Sequence, residues 1–418
     1  MKRRCVITGL GAVSPNGIGV PAFSEAVLAG QSGVRRISRF DPSAIEVQIA
    51  GEVRDFDELA WVEKKERKHV SRVLPLALCA ATEALTSAGV DTHALPMAER
   101  RRFGVIIGTG GGSQEFTEEQ YRLYFHGQVS KMSLFCIPTG VMGSISSDLN
   151  VRFNLRGPSH VITTGCTSST DALAYAMRQI ESGRLDSVLT GGADAPISLG
   201  TVRGFILMKN LLTESWNAQP EQGSRPFSAD RDGFVLAEGA WMFVLEEYEH
   251  ARARGAAILA EVAGYGSTCE AYHRVRLMEC GEEPARAIGL AMQQAGVGAG
   301  DIDYVNLHGT STKLNDRIET RALKLALGEE RARQVPMSAL KSQIGHPQGA
   351  CGAAGVAATL VAMQNEQLPP TINLDNPDQD CDLDYVAQAG RKKKIEHAVC
   401  NCIAFGSKNS ALVLRRAA

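Results

Sequence analysis

One cysteine and two histidines stand in this chain where side chains could react as well as pack. Cys166 lies in Thr163-Thr164-Gly165-Cys166-Thr167-Ser168-Ser169, between a β-like run, Val161 to Thr164, and a helix predicted to begin near Ser168. Free N–H groups and the macrodipole at a helix N-terminus favour thiolate over thiol, which would lower the pKa and make the sulfur a nucleophile. Gly165 permits the sharp approach. The competing reading is a small cysteine buried in a tight turn, which suits most of the other cysteines. His308 sits in Asn306-Leu307-His308-Gly309-Thr310-Ser311-Thr312, and His346 in Lys341-Ser342-Gln343-Ile344-Gly345-His346-Pro347. A lone strand-end histidine is more often structural, but two flanked by glycine and polar residues suit a shared pocket. Neither has HExxH or close ligand spacing, so no metal is expected. As neutral imidazoles they could donate N–H to an oxygen gaining negative charge.

Several short β-branched runs ending in glycine must hold these groups: Val6 to Gly9, Val105 to Gly108, Ser187 to Gly191 and Tyr304 to Gly309. Such continuous apolar runs read as strands buried on both faces. Between them lie helical stretches, Leu74 to Ala88 and Pro284 to Ala295, each followed by a glycine stop. Gly349 to Met363 reads as a buried helix. The pattern is α/β. An internal echo, Leu85-Thr86-Ser87-Ala88-Gly89-Val90 against Met292-Gln293-Gln294-Ala295-Gly296-Val297, precedes a strand ending in Gly-Thr in both places. It predicts two similar halves, 1–254 with the nucleophile and 255–418 with the histidines, joined near Arg252 to Gly255 without a low-complexity linker.

Composition narrows the function classes. The 418 residues are 44% hydrophobic and 22% charged, and 42 glycines outnumber the 13 Phe, 8 Tyr and 3 Trp together, as in a turn-rich globular enzyme. Lys and Arg number 44 against 46 Asp and Glu, so no bulk field draws the chain to nucleic acid or an anionic membrane. Ten cysteines without zinc-ligand spacing suit a reducing cytoplasm. Gly9-Leu10-Gly11-Ala12-Val13-Ser14 nearly matches a dinucleotide fingerprint, but Ser14 replaces the third glycine, Pro15 interrupts the helix, and Arg35-Arg36 stands where an acid is needed. A short strand and a turn fit better. Gly110-Gly111-Gly112-Ser113 lacks the Lys-Ser/Thr of a P-loop and reads as a flexible turn.

Taken together, Cys166, the HGTST run His308 to Thr312, the KSxxGHxxGA run Lys341 to Ala350, and Arg225-Pro226-Phe227-Ser228-Ala229-Asp230-Arg231-Asp232-Gly233-Phe234 resemble the β-ketoacyl-[acyl-carrier-protein] synthases of the thiolase superfamily, from Val6 to about Leu414. The resemblance implies a thiolase-like five-layered αβαβα fold from two similar halves, dimerising through the first. It also implies decarboxylative Claisen condensation, with Cys166 taking an acyl group and malonyl carrier protein losing CO₂. His308 and His346 would stabilise the enolate oxygen, the N–H groups of Cys166 and Phe405 would form the oxyanion hole, and Lys341 would orient the site. Thr310 and Thr312 match positions that bond a phosphopantetheine arm, the arm of the acyl carrier protein being a substrate carrier and no cofactor being bound permanently. Phe405 matches a gate. Lys64, Arg67, Lys68 and Lys209 match carrier-docking positions; the alternative is a solvated helix face. The Arg391 to Lys394 run has no such match and reads as surface.

Three departures from the family pattern stand out. The usual GFGGTN ending reads Ala404-Phe405-Gly406-Ser407-Lys408-Asn409, and Gly355 stands where a glutamate is usual, leaving Lys341 to pair elsewhere, as with Glu319. Gly165-Cys166-Thr167-Ser168 is similar to ketosynthase α subunits of type II polyketide systems, which pair with a chain-length factor lacking the nucleophile. The expected partners are therefore an acyl carrier protein and either a second copy or a chain-length-factor-like homologue, with no nucleic acid and no membrane. The alternatives are a homodimeric fatty-acid elongation synthase, a thiolase-fold acyltransferase without elongation, and a noncatalytic partner subunit, the last disfavoured by retention of all three reactive residues.

Overall fold

The structure is a computed structural model and describes residues 3–417. In the first half, strand β1 (Cys5–Ser14) leads through helix α1 (Val73–Ser87) to β2 (Phe103–Gly108), then to β3 (Ser159–Ile162). Helix α2 (Ser168–Glu181) returns the chain to β4 (Ser187–Asp194), and β5 (Gly239–Glu247) completes a sheet ordered β1-β5-β4-β2-β3. The second half repeats the plan with β6 (Ala260–Cys269), α3 (Glu282–Ala295), β7 (Tyr304–Asn306), α4 (Lys313–Leu327), β8 (Met337–Ser338), α5 (Cys351–Asn365), β9 (His397–Ala404) and β10 (Lys408–Arg416). Its order, β6-β10-β9-β7-β8, matches strand for strand, including the antiparallel and parallel pairings. The two sheets join where Val6 and Ile7 of β1 pair with Glu261 and Ala260 of β6.

Three apolar clusters define five layers. Residues of α1 pack on the outer face of the first sheet, and residues of α3 and α4 on the outer face of the second. Between the sheets, α2 and α5 share one core with inward residues such as Ile106, Trp241 and Leu412. From Cys351 to Met363, α5 is buried on every face, as its Gly- and Ala-rich composition requires. The two central helices approach closely: a Cβ on Gly352 would lie 2.1 Å from Thr170 Oγ1.

The expected helices and most strands stand within a residue or two of their predicted places, with two instructive exceptions. β1 runs straight through Gly9 and Gly11 to Ser14 instead of turning. Those glycines admit α1, since a Cβ would lie 2.1 Å from the Ala84 carbonyl oxygen at Gly9 and 1.9 Å from that of Ala80 at Gly11. β7 stops at Asn306, three residues before Gly309, because the amides of His308 and Gly309 are claimed by a carboxylate described below. Arg391–Lys392 forms a short exposed strand paired with Gln367–Leu368.

Candidate active site

The candidate nucleophile, Cys166, stands where β3 gives way to α2. Gly165, at φ +76°, makes the turn, and α2 begins at Ser168. Ser168 Oγ accepts from the Thr164 N–H at 2.9 Å, so the turn is closed on itself. Cys166 is buried, with the Phe405 backbone N–H beside its sulfur. Burial pushes the Cys166 thiol up, to about 12, with Cys351 adding to the rise; Lys341 and the Phe405 N–H oppose it without prevailing. The sequence expectation of a resting thiolate is therefore corrected: the helix end faces a site shielded from water, and desolvation favours the neutral thiol.

The two imidazoles meet the sulfur from the other half. Cys166 Sγ and one ring nitrogen of each histidine lie within 4.8 Å of one another. The rings of His308 and His346 stand edge to face, with centroids 5.5 Å apart. Both are buried, and burial with the nearby Lys341 holds each well below the usual histidine range, so both are neutral near pH 7. The backbone of His346 is clamped, its N–H donating to the Val235 carbonyl at 2.7 Å and its carbonyl accepting from Ala237 at 3.0 Å, and Phe234 packs edge-on against its ring.

Lys341 takes part without a carboxylate. Its Nζ donates to the His308 carbonyl at 2.6 Å and lies 3.2 Å from His308 Nδ1. An ammonium can only donate, so Nδ1 is an acceptor and the proton of this neutral ring belongs on Nε2. The expected pairing with Glu319 is not formed. That buried carboxylate accepts from the His308 N–H, the Gly309 N–H and Asn401 Nδ2, each at 2.7 Å, which fills it and ends β7 early. At position 355 the space is taken by Asn306, whose Oδ1 would lie 2.5 Å from a Cβ.

A cavity of about 1020 Å³ reaches these groups and is lined by Cys166, His308, His346, Thr310, Thr312, Phe405 and Lys209 among others. The two threonine hydroxyls are bonded to each other at 2.9 Å. Of the expected carrier-docking residues, Lys209 lies exposed on this rim. Lys64, Arg67 and Lys68 lie elsewhere, beside or in the short 3₁₀ turn Arg67–His69, where Arg67 is paired with Glu58; no regular helix face is formed there.

The roles of four residues escaped the sequence reading. Asp194, fully buried at the end of β4, accepts from Thr109 Oγ1 at 2.8 Å and from the N–H groups of Gly110, Gly111 and Gly349 at 2.7, 2.9 and 2.8 Å. The glycine run thus cradles an internal carboxylate, and the flexible-turn reading is replaced by a fixed one; the Gly-Gly-Ala-Asp end of β4 was the available signal. Ser407, at φ +63°, uses its hydroxyl to accept from the His273 N–H at 3.2 Å and donate to the His273 carbonyl at 3.0 Å. Cys351 and Cys402 pack directly behind Cys166.

Comparison with known proteins decides the family. Residues 2–251 match the Beta-ketoacyl synthase, N-terminal domain, and residues 259–375 the Beta-ketoacyl synthase, C-terminal domain. The chain belongs to the β-ketoacyl synthase family. It is 39% identical over 416 residues to the 3-oxoacyl-[acyl-carrier-protein] synthase 2 of Vibrio cholerae, covering 99% of both chains. It is 41% identical over 421 residues to a protein assigned as polyketide beta-ketoacyl synthase 1 in Streptomyces cyaneus, covering 99% of this chain and 98% of that one. Among solved structures, the ishigamide ketosynthase/chain length factor superposes with a TM-score of 0.91 at 32% identity over 100% of both chains. A type II PKS ketosynthase in complex with its acyl-carrier protein does so with 0.90 at 31%, again over 100% of both. This β-ketoacyl synthase is thus a condensing acyltransferase with the thiolase-like fold expected from its motifs. Among the described residues no helix is long and apolar enough to cross a membrane.

Proposed function

We propose that this synthase carries its acyl group on Cys166 and extends it with malonyl carrier protein, in type II polyketide or related biosynthesis. One observation carries the reading: a thiol and two neutral imidazoles within 4.8 Å of one another at the wall of one cavity. Cys166 Sγ attacks the acyl thioester carbonyl, the tetrahedral oxyanion is met by the N–H groups of Cys166 and Phe405, and the carbon–sulfur bond to the carrier breaks as the Cys166 proton passes to the departing carrier sulfur. Malonyl carrier protein then loses CO₂, and the electron pair passes to an enolate whose oxygen is held by the ring N–H groups of His308 and His346. Its carbon attacks the acyl carbonyl, the C–C bond forms, and Cys166 leaves as thiolate. Lys341 acts by fixing His308, and loss of one oxyanion donor in such a site costs about 3 kcal/mol of barrier.

Carrier and partner follow from the same surface. Thr310 and Thr312 would bond the amides of the phosphopantetheine arm, Lys209 would meet an acidic carrier at the rim, and Phe405 would act as the gate. Lys64, Arg67 and Lys68, away from this cavity, would serve the carrier bound at the neighbouring subunit's mouth. β3 is an open sheet edge, and Phe125, Leu134, Ile137 and Val151 of the same half are exposed, which supports dimerisation there. We keep the division at 254/255, a reading supported by the last strand of the first half ending at Glu247 and the first of the second beginning at Ala260.

A homodimeric fatty-acid elongation role is the second reading, favoured by the 39% identity to the Vibrio cholerae synthase over nearly the whole chain. Incubation with acyl carrier protein followed by peptide mass spectrometry tests the mechanism: an acyl adduct on Cys166 is expected, and an unmodified Cys166 under turnover counts against it. Co-purification separates the pathways, since a cysteine-lacking homologue supports the polyketide reading and a homodimer making saturated chains the other.

A further inference from the structure

Two thiols behind the nucleophile have no part in the reaction proposed above. Cys351 and Cys402 are buried, their sulfurs 3.6 Å apart, and Cys402 Sγ is 3.6 Å from His308 Nδ1. Cys351 Sγ, Cys402 Sγ and a ring nitrogen of His308 all lie within 4.8 Å of one another. Both sulfurs also touch the carbonyl oxygen of Cys166, at 3.2 and 3.0 Å. A tetrahedral zinc with bonds of about 2.3 Å to sulfur and about 2.0 Å to nitrogen has edges of roughly 3.8 Å between two sulfurs and roughly 3.5 Å between sulfur and nitrogen. The two 3.6 Å separations here are already close to those of such a tetrahedron.

We infer that Cys351, Cys402 and His308 Nδ1 form a binding site for one thiophilic d¹⁰ cation of the Zn²⁺ type, with the Cys166 carbonyl oxygen as fourth donor. Two thiolates neutralise a divalent charge, and a sulfur-rich donor set with one imidazole selects such ions over hard ones. Binding breaks two S–H bonds, forms two metal–sulfur bonds and releases both protons to solvent, with no oxidant involved. The ion takes the Nδ1 lone pair that now faces Lys341, while Lys341 keeps its 2.6 Å bond to the His308 carbonyl. The ring proton stays on Nε2, so the ion does for His308 what Lys341 does in its absence. Neither Cys351 nor Cys402 lines the cavity, so an ion entering from it has to pass Cys166 and Ala404, which line its wall and pack in one cluster with both. The overlapping set of Cys166, His308 and His346 is equally compact but offers a single sulfur.

Full-length reduced protein incubated with Zn²⁺, desalted and measured by inductively coupled plasma mass spectrometry tests the site, with Co²⁺ substituted for absorption spectroscopy. The expected result is one retained ion per chain in the native protein and in Cys166→Ala, with affinity weakened at least about tenfold in Cys351→Ala and in Cys402→Ala. Co²⁺ in the native protein should show tetrahedral bands with thiolate charge transfer, a readout that does not depend on a variant folding. An unretained ion, or a Co²⁺ spectrum without thiolate bands, overturns the assignment. So does retention that is lost in Cys166→Ala and kept in Cys402→Ala, which would move the ion to Cys166, His308 and His346. None of these readouts involves turnover, so the site and the condensation reading can fail separately.

Discussion

The two halves of this synthase have the same strand order and the same helix between their third and fourth strands, yet they treat a cysteine at the head of that helix in opposite ways. In the first half, Cys166 stands two residues before α2 and lines the cavity; in the second, Cys351 is the first residue of α5 and is sealed behind it. The histidines come only from the second half, from the ends of β7 and the turn before α5. A repeated scaffold therefore offers equivalent helix ends, and of the two thiols it is Cys166 that lines the cavity.

The comparison is broken most directly by exchanging the cysteines' fates. Cys166→Ala should abolish acyl loading, a loss of at least about 10³-fold, while Cys351→Ala still gives the adduct on Cys166; mass spectrometry reads both. Next, His308→Ala should spare loading and slow condensation by about 10²- to 10³-fold, measured as CO₂ release from malonyl carrier protein.

The joint between the halves is sharpened by acid. Glu246, buried on β5 and bonded to Arg254, His250 and Thr8, is held at about 2 against an ordinary 4.5. Its folded value is the lower one, so its contribution is present above pH 4.5 and lost as pH falls towards 2. That contribution is on the order of 3 kcal/mol. Urea unfolding across this range should show the loss in the native protein and a flatter profile in Glu246→Gln.

Smaller effects follow. Gly352→Ala should cost about 2 kcal/mol by forcing α5 from α2, seen as a lowered Tm. Ser407→Gly should change the rate of acyl loading by only about twofold, through release of the gate loop from His273.

Sheets, helices and the reactive trio were legible because each has a local signature: β-branched runs, glycine stops, and motifs carried by consecutive residues. What escaped was long-range. Gly9 and Gly11 look like turn residues until α1 is seen lying on them. Glu319 was read as a partner for Lys341, but three N–H donors from two segments had already claimed it. The thiolate expectation followed from a helix end considered alone, whereas burial is set by the whole surroundings of Cys166. No spacing pattern signals that Cys351 and Cys402 converge, since they arrive from different elements, α5 and β9, and are 51 residues apart.

Asp194 gives this architecture a built-in assembly check. Its donors come from residues 109–111 and from residue 349, so a nascent chain lacking its last quarter holds this buried carboxylate by three of its four bonds. The cavity beside Cys166, whose wall also needs His346 and Phe405, is therefore complete only after the ribosome has delivered nearly the whole polypeptide.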